Sequence, residues 1–250
     1  MEYGAAPKAF LPPDCMQQML QKGKIMSFIT YFKEQEQVIK ERDPAMKNHR
    51  EVLLYPSFWA VYHYRRAHQL FLRGKYYRAR KISQRAARRT GIEIHPGAEI
   101  GEGFFIDHGH GVVIGETAII GKNVTIYQGV TLGGTGKEQG KRHPTIGDNV
   151  MIGAGAKILG SCTIGSNSKV GAGSVVLEDV PENSTVVGVP GRIVRLDNMR
   201  IMSIDLDQVQ FPDPVMNDLR ALKEENGLLR RNYEKIEKRM QAIERLFPSS

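Results

Sequence analysis

The sequence predicts a mixed fold with three parts: an N-terminal α-helical region, a parallel β-helix of six-residue repeats and a C-terminal coiled-coil helix. Three spacings of apolar residues lead to this prediction. Apolar residues recur at steps of three and four before residue 90, at steps of six from Ile94 to Val176, and in heptads after residue 213. The first and third spacings are typical of amphipathic helices, and the second is typical of a stacked repeat structure.

The N-terminal region, residues 1–90, carries the helical spacing. Asp43 and Pro44 predict the start of a helix, because a carboxylate at the N-cap is often followed by proline in the first turn. The segment from Arg65 to Ile92 holds ten Lys or Arg and no Asp or Glu, in a chain whose formal net charge is +8. We interpret this segment as the solvated face of a helix. An anion site is the alternative, but no nucleic-acid-binding motif accompanies the basic run, so we expect no nucleic-acid partner.

Residues 91–195 carry the six-residue period. Apolar residues stand six apart at thirteen positions: Ile94, Ile100, Ile106, Val112, Ala118, Val124 and Val130, then Ile146, Ile152, Ile158, Ile164, Val170 and Val176. Such a period indicates a parallel β-helix, whose short strands bury a face only by stacking coil on coil. One insertion of ten residues separates Val130 from Ile146. It predicts a loop, residues 133–144, and its basic residues and His143 lead us to expect a functional role.

The C-terminal part begins with a linker, residues 196–212, and continues as a predicted coiled-coil helix, residues 213–247. Apolar residues alternate at steps of four and three from Val215 to Phe247, which is the heptad pattern. Asn226 occupies an a position, where a polar residue fixes register, and Glu225 would meet Arg230 of a parallel partner helix. The alternative is a single amphipathic helix that packs on its own chain.

Composition sets the class of protein. Hydrophobic residues are 41% and charged residues 25%, which is typical of a soluble globular protein. Apolar runs stay well below the roughly 18 residues of a transmembrane helix, and the N-terminus lacks a secretion signal. Cys15 and Cys162 form neither a disulfide framework nor a clustered zinc site. We therefore expect a cytoplasmic protein that does not bind membranes.

Several motifs occur together with the repeats. They are RDPA at 42–45, IHPGAEIG at 94–101, DHGHGVVIGETA at 107–118, TLGGTGK at 131–137, RHP at 142–144, MIGAGAKILG at 151–160 and GVPGRIV at 188–194. Over residues 40–195 the chain resembles the serine O-acetyltransferases, a family of left-handed β-helix, hexapeptide-repeat acyltransferases. The resemblance implies a left-handed β-helix that transfers acetyl from the co-substrate acetyl-CoA to L-serine. The products are O-acetyl-L-serine, an intermediate of cysteine biosynthesis, and CoA, and no metal is required.

The same resemblance implies roles for single residues. His108 would be the general base, and Glu93 would be the carboxylate that orients it, at a position where the family has Asp. Asp43 and Asp107 would receive the ammonium of serine. Arg142 and His143 would receive its carboxylate, and an Arg guanidinium suits that group because it offers a bidentate fork.

The acetyl-CoA site is implied in the same way. Gly134 resembles a position whose backbone N–H faces the developing oxyanion. A coenzyme A groove is expected at Ala154, Lys169, Ala172 and Arg192. Small residues there would admit the pantetheine arm, and the cations would meet its phosphates.

Assembly and competing functions complete the predictions. The family resemblance implies a homotrimer or a dimer of trimers. The sequence ends at Phe247–Ser250 without the terminal Ile that the family docks into its sulfhydrylase partner, so we expect no such complex through the tail. Three other interpretations remain open: a β-helix acetyltransferase with a sugar or another amino-acid acceptor, a non-catalytic oligomeric scaffold, and a zinc site at His95, His108, His110 and His143.

Overall fold

The computed structural model describes residues 27–136, 139–196, 222–223, 225–233 and 235–236. The chain divides into two compact units, Met1–Phe211 and Pro212–Ser250. The larger unit contains helices followed by a parallel β-solenoid, and this confirms the helical region and the parallel β-helix of the predicted fold class. In the part of the chain that the structure describes, every helix is too short or too polar to span a membrane.

Three α-helices and one 3₁₀ helix form the helical region: α1 (Phe28–Arg42), the 3₁₀ helix (His49–Leu54), α2 (Pro56–Leu72) and α3 (Tyr76–Thr90). The side chain of Ser27 caps α1 by accepting the N–H of Ile29. Gly91 ends α3 in the left-handed conformation, which glycine adopts without a steric penalty. Aromatic residues pack the helices together, with Tyr31 and Phe58 almost fully buried.

The helix start predicted at Asp43 is wrong. Asp43 is the C-cap of α1, and a turn rather than a helix follows it. Its carboxylate accepts the N–H of Ala45 at 2.8 Å, which makes an Asx turn. An Asx turn and a helix N-cap use the same local hydrogen bond, so the Asp-Pro pair alone does not distinguish them.

Fifteen short strands form the solenoid and make three sheets, one for each face. The strands are β1 (Ile92–Ile94), β2 (Glu99–Ile100), β3 (Phe105–Ile106), β4 (Val112–Ile114), β5 (Ile119–Ile120), β6 (Thr125–Ile126), β7 (Thr131–Gly133), β8 (Thr145–Ile146), β9 (Met151–Ile152), β10 (Lys157–Leu159), β11 (Thr163–Ile164), β12 (Lys169–Val170), β13 (Val175–Val176), β14 (Ser184–Val187) and β15 (Arg192–Leu196). The sheet orders are β1-β4-β7-β10-β13, β2-β5-β8-β11, and β3-β6-β9-β12-β14-β15. All pairings are parallel except β14 with β15.

Stacked aliphatic side chains fill the solenoid interior. On the first face, Ile94 lies beside Ile114, which lies beside Leu132. These residues and their equivalents on the other faces are almost all fully buried. Each buried aliphatic side chain contributes roughly 1.5–3 kcal/mol, and only the stacking of coils supplies that burial.

The register corrects the position of the insertion. Ile106 pairs with Ile126 and Ile114 with Leu132, so the chain from Ile106 to Ile114 is two residues longer than its equivalent in the next coil. The predicted ten extra residues are therefore divided, with two before Ile114 and eight between Leu132 and Ile146. Sequence spacing misses the first insertion because Val112 and Ile114 are both buried and both fit a step of six.

Two corners of the solenoid repeat in every coil. At one corner, Asn123, Asn149, Asn167 and Asn183 share a left-handed backbone conformation, with φ between 56° and 60°. Their side chains hydrogen-bond in sequence along the solenoid at 3.4, 3.1 and 3.2 Å, and we call this set the asparagine column. The other corner holds left-handed glycines at 91, 111, 129, 155 and 173.

Polar contacts attach the helical region to the first coils. The buried guanidinium of Arg42, at the end of α1, donates to the hydroxyl of Thr125 at 3.0 Å and to the carbonyl of Val124 at 3.3 Å. The Tyr64 hydroxyl donates to the carbonyl of Ala98 at 2.5 Å. The anchor at Arg42 matters for the site, because it fixes the position of the next residue, Asp43.

The smaller unit contains a helix in its described part, residues 222–236 apart from 224 and 234. Its predicted heptad residues Leu222, Leu229, Tyr233 and Ile236 are 59–69% exposed. The linker at 196–212 and the rest of the predicted coiled coil lie outside the described residues, apart from Leu196 at the end of β15.

Candidate active site

The two-residue insertion forms the turn that carries His108. We call residues 107–111, between β3 and β4, the His108 turn. His108 has φ of 57°, a left-handed conformation that histidine adopts more readily than most residues. The next residue, Gly109, also has positive φ, and a Cβ there would lie 2.5 Å from the Cδ1 atom of Ile92. The turn lifts the His108 side chain out of the solenoid, where it is 75% exposed.

The carboxylates of Asp107 and Asp43 and the phenol of Tyr55 interact with one another near this turn. Nε2 of His108 lies 4.0 Å from Oδ1 of Asp107. Burial raises the pKa of Asp107, and the nearby charge of Asp43 raises it further, while His108 acts in the opposite direction. Asp43 and Asp107, the two residues that the family resemblance assigns to the ammonium of serine, thus interact electrostatically.

Tyr55 belongs to the same group, and sequence reasoning missed it. Its hydroxyl donates to Oδ2 of Asp43, whose other oxygen accepts the amide of Ala45. Burial raises the pKa of Tyr55, and the hydrogen bond to Asp43 and the charges of Asp43 and Asp107 raise it further. Tyr55 lies between the 3₁₀ helix and α2, and no sequence motif marked it.

Glu93 occupies a different environment from the predicted one. It lies on β1, beside Val113 in the next coil, and its side chain is 41% exposed. Its carboxylate accepts from Nε2 of Gln84 at 3.0 Å and lies 3.9 Å from Arg80, both on α3. The carboxylate in contact with His108 is Asp107, so the structure does not join Glu93 to His108 within one chain.

Arg142 and His143 form a second group, at the end of the loop. Arg142 pairs with Oε2 of Glu116 at 2.5 Å. His143 is buried, with its ring against Gly115, where a Cβ would lie 1.9 Å from its Cδ2 atom. Burial lowers the pKa of His143, and the cations Arg142 and Lys141 lower it further. The ring is therefore neutral near pH 7.

This group contains three further residues: Glu116 and Thr117, to which sequence reasoning assigned no role, and His95, which it considered only as a zinc ligand. Glu116 and Thr117 belong to the GETA segment, and Thr117 contacts the loop directly. Burial and the charge of Arg80 lower the pKa of His95 to about 4. His95 is thus an uncharged neighbour of the Arg142–Glu116 pair.

The predicted acetyl-CoA positions occupy the loop and the later coils. Gly134 lies against the return of the loop, where a Cβ would be 3.2 Å from the carbonyl oxygen of Arg142. The carbonyl of Ala154 accepts the N–H of Gly173 at 2.8 Å, which places Ala154 and Ala172 at one corner of successive coils. Lys169 lies on β12, between Met151 and Thr185. Arg192 begins β15 at the end of the solenoid.

The zinc interpretation finds no geometric support among the described residues. His108 and His143 belong to separate groups, and no three His, Cys, Asp or Glu side chains converge within the described ranges.

A β-solenoid of six-residue repeats with an exposed imidazole beside a carboxylate defines the class of hexapeptide-repeat acyltransferases. Two family models match: "Bacterial transferase hexapeptide (six repeats)" at residues 143–178 and "Hexapeptide repeat of succinyl-transferase" at 111–134. The serine acetyltransferase of Bacillus licheniformis is 53% identical over 84% of this chain and 98% of its own.

Solved structures agree. Soybean serine acetyltransferase complexed with serine is 49% identical, with a TM-score of 0.64 over 66% of this chain and 68% of its own. Serine acetyltransferase from Brucella abortus in complex with coenzyme A is 43% identical, with a TM-score of 0.65 over 72% of each chain. The chain belongs to the serine acetyltransferase family.

Proposed function

We propose that this protein transfers the acetyl group of acetyl-CoA to the hydroxyl of L-serine and releases O-acetyl-L-serine and CoA. One observation carries the proposal: the carboxylate of Asp107 lies 4.0 Å from the exposed imidazole of His108 and interacts electrostatically with Asp43. The two carboxylates suit the ammonium of an amino acid, and the imidazole suits proton removal from a nearby hydroxyl. The complexes of relatives with serine and with coenzyme A support both substrates.

In the proposed mechanism, His108 takes the hydroxyl proton as the serine oxygen attacks the thioester carbonyl carbon. A C–O bond forms, and the carbonyl oxygen becomes an oxyanion that the Gly134 N–H stabilises. The C–S bond then breaks, and the imidazolium returns its proton to the departing sulfur. Asp107 stabilises the positive charge that His108 carries between these steps.

Arg142 and His143 bind the serine carboxylate in this proposal, but they belong to a separate group. Among the described residues, no hydrogen bond or ion pair joins the His108 turn to the loop. We therefore propose that the complete site forms between copies of the chain, in a homotrimer or a dimer of trimers. A wild-type mass in light scattering that is not a multiple of three chain masses would contradict this assembly.

The role of Glu93 stays a prediction. Within one chain its carboxylate contacts Arg80 and Gln84, so it would act on His108 only after a rearrangement. Glu93→Gln keeps the shape and removes the charge. A fall of kcat by about 10²-fold or more would support an orienting role. An unchanged kcat would assign Glu93 to the contact with α3.

The activity is tested by release of free thiol from acetyl-CoA in the presence of L-serine, L-homoserine or sugars. The proposal expects release with L-serine and much weaker release with the other acceptors. Release that prefers a sugar or homoserine would instead support a different acetyltransferase of the same fold. No release with any acceptor would favour the non-catalytic scaffold.

We also propose that the C-terminal helix pairs with the same helix of other copies, in parallel, as a stem. Leu222, Leu229, Tyr233 and Ile236 form an exposed heptad stripe, and Glu225 is complementary in charge to Arg230. Leu229→Lys should weaken assembly in light scattering, whereas Leu228→Lys, an equally exposed leucine outside the stripe, should not. Equal effects of the two variants would contradict the pairing.

The remaining expectations concern location and the sulfhydrylase. We propose a cytoplasmic location, from the cysteine usage of the sequence. The tail at residues 247–250 lies outside the described residues, and a pull-down that shows a tail-dependent complex would contradict the expectation that none forms.

A further inference from the structure

Thr117 holds three consecutive residues of the loop. Its hydroxyl oxygen accepts the backbone N–H groups of Arg142 and His143, both at 3.1 Å, and its carbonyl accepts from Nζ of Lys141 at 2.8 Å. We infer that Thr117 is a positioning residue for substrate carboxylate recognition, because it fixes the tautomer and the direction of the His143 ring. This inference rests on the proposed function of the loop.

The hydrogen bonds around the ring decide its tautomer. The backbone N–H of Thr117 donates to Nδ1 of His143 at 3.2 Å, so this nitrogen is an acceptor. The Thr117 hydroxyl lies 2.9 Å from the same nitrogen. Because the hydroxyl oxygen already accepts two backbone N–H groups, its own hydrogen is free to point at Nδ1. The neutral ring must then carry its hydrogen on Nε2 and present it as a donor.

The surroundings keep the ring neutral. A second proton would have to sit on Nδ1, where it would face the N–H of Thr117. Burial lowers the pKa of His143, and Arg142 and Lys141 add to the effect, while Glu116 opposes it. A neutral ring with hydrogen on Nε2 offers a carboxylate one directed hydrogen bond, beside the charged fork of Arg142.

Neighbouring residues support the same direction of the ring. A Cβ at Gly115 would lie 2.1 Å from Nε2 of His143, so the ring edge that carries Nε2 lies flat against the glycine. Thr117 therefore holds one edge of the imidazole, and Gly115 leaves room for the other. Both residues that position the His143 ring, Thr117 and Gly115, thus belong to the GETA segment.

The first test needs no variant. In full-length, ¹⁵N-histidine-labelled protein without ligand, two-bond ¹H–¹⁵N spectra should show His143 with an unprotonated Nδ1 and a protonated Nε2 at pH 7. The His143→Gln spectrum assigns the signal. A proton on Nδ1 in the wild type would overturn the inference.

The second test compares Thr117→Val, which removes the hydroxyl at nearly constant shape, with Thr117→Ser, which keeps it. We expect Val to raise the KM for L-serine by about tenfold or more while the KM for acetyl-CoA changes little, and Ser to restore most of the loss. The His143 signal of the Val variant should shift, because Nδ1 loses its contact with the hydroxyl and keeps only the backbone N–H of residue 117. Thr163→Val, at an exposed strand position, is the matched control.

The outcomes separate the two proposals. An unchanged serine KM and an unchanged His143 signal in Thr117→Val would overturn the positioning role. If the wild type acetylates no serine, the proposed function fails, yet the spectrum of the unliganded wild type still decides whether Thr117 sets the tautomer. A KM change equal for both substrates would indicate a merely structural role for the hydroxyl and would also overturn the inference.

Discussion

The side chains of the His108 turn and those of the loop that carries Arg142 and His143 differ in burial and in the number of groups that hold them. The loop end is held by hydrogen bonds that its backbone N–H groups donate to the hydroxyl oxygen of Thr117 and by an ion pair with Glu116, and the His143 ring is buried. The His108 side chain is 75% exposed, and Nε2 of its ring lies 4.0 Å from Oδ1 of Asp107. Groups that bind a fixed charge gain from rigid placement, whereas a base must reach a hydroxyl that arrives with the substrate. A single chain therefore holds the residues proposed to bind the serine carboxylate in fixed positions, and it leaves the side chain of the proposed base, His108, exposed.

The largest expected effect is on kcat and comes from replacing the exposed His108. His108→Asn keeps a residue type that accepts left-handed backbone, as the asparagine column shows, but removes the base. We expect kcat to fall by about 10²–10⁴-fold, with a change of less than about 1 kcal/mol in the free energy of unfolding. Thiol-release kinetics and chemical denaturation measure the two quantities. His110→Asn, an exposed neighbour in the same turn, is the control, and equal losses in both variants would contradict the assignment.

The next largest effect comes from a substitution that moves the buried His143 ring. Gly115→Ala places a methyl group 1.9 Å from Cδ2 of the His143 ring, so the ring or the strand must move. We expect a loss of about 1–3 kcal/mol in stability from overpacking and a serine KM raised by about tenfold or more. Gly227→Ala, where the added atom meets no neighbour within 4 Å, should leave the serine KM unchanged and should not lower stability, since alanine is the better helix former. A normal serine KM in Gly115→Ala would show that the ring position does not matter for binding.

A smaller effect concerns the phenol beside the carboxylates. Tyr55→Phe removes the donor to Asp43 and leaves the ring in place. We expect a severalfold increase in the serine KM, since the carboxylate of Asp43 loses one of its two described hydrogen bonds, with kcat nearly unchanged. Steady-state kinetics at saturating acetyl-CoA measure this. A fall confined to kcat would instead place Tyr55 in the proton-transfer step.

The smallest expected effect is on stability and depends on pH. Burial and the charge of Asp43 raise the pKa of Asp107, so the folded state holds its proton more tightly than the unfolded state does. Folding stability from this group therefore falls as pH rises from the ordinary Asp value of about 3.9 through the raised value. Asp107→Asn should raise the melting temperature slightly at pH 7 and not below pH ~3.5, while serine binding is lost. A lower melting temperature at pH 7 would contradict the burial of this carboxylate.

The spacing of aliphatic residues predicted the solenoid because its interior accepts one branched side chain every six residues in nearly every coil. The same spacing could not place the two-residue insertion, since Val112 and Ile114 both fit the interior. The family motifs marked Asp43, Asp107 and His108, and in the structure Asp107 lies 4.0 Å from His108 and interacts electrostatically with Asp43. Tyr55 and Thr117 act through contacts between residues distant in sequence, at separations of 12 and 26 residues, and no local pattern records such contacts.

The asparagine column shows how this protein tolerates changes of chain length. The hydrogen bond from Asn123 to Asn149 spans the whole loop, and the column continues beyond it with the same backbone conformation. Each coil thus keeps its register with the coil before it. Extra residues form a loop at a corner and do not shift the coils that follow. Evolution can consequently lengthen or shorten a corner, and so remodel substrate contacts, without redesigning the interior. Loss of one complete 18-residue coil, such as residues 149–166, would likewise bring asparagine opposite asparagine again, with Asn167 beside Asn123.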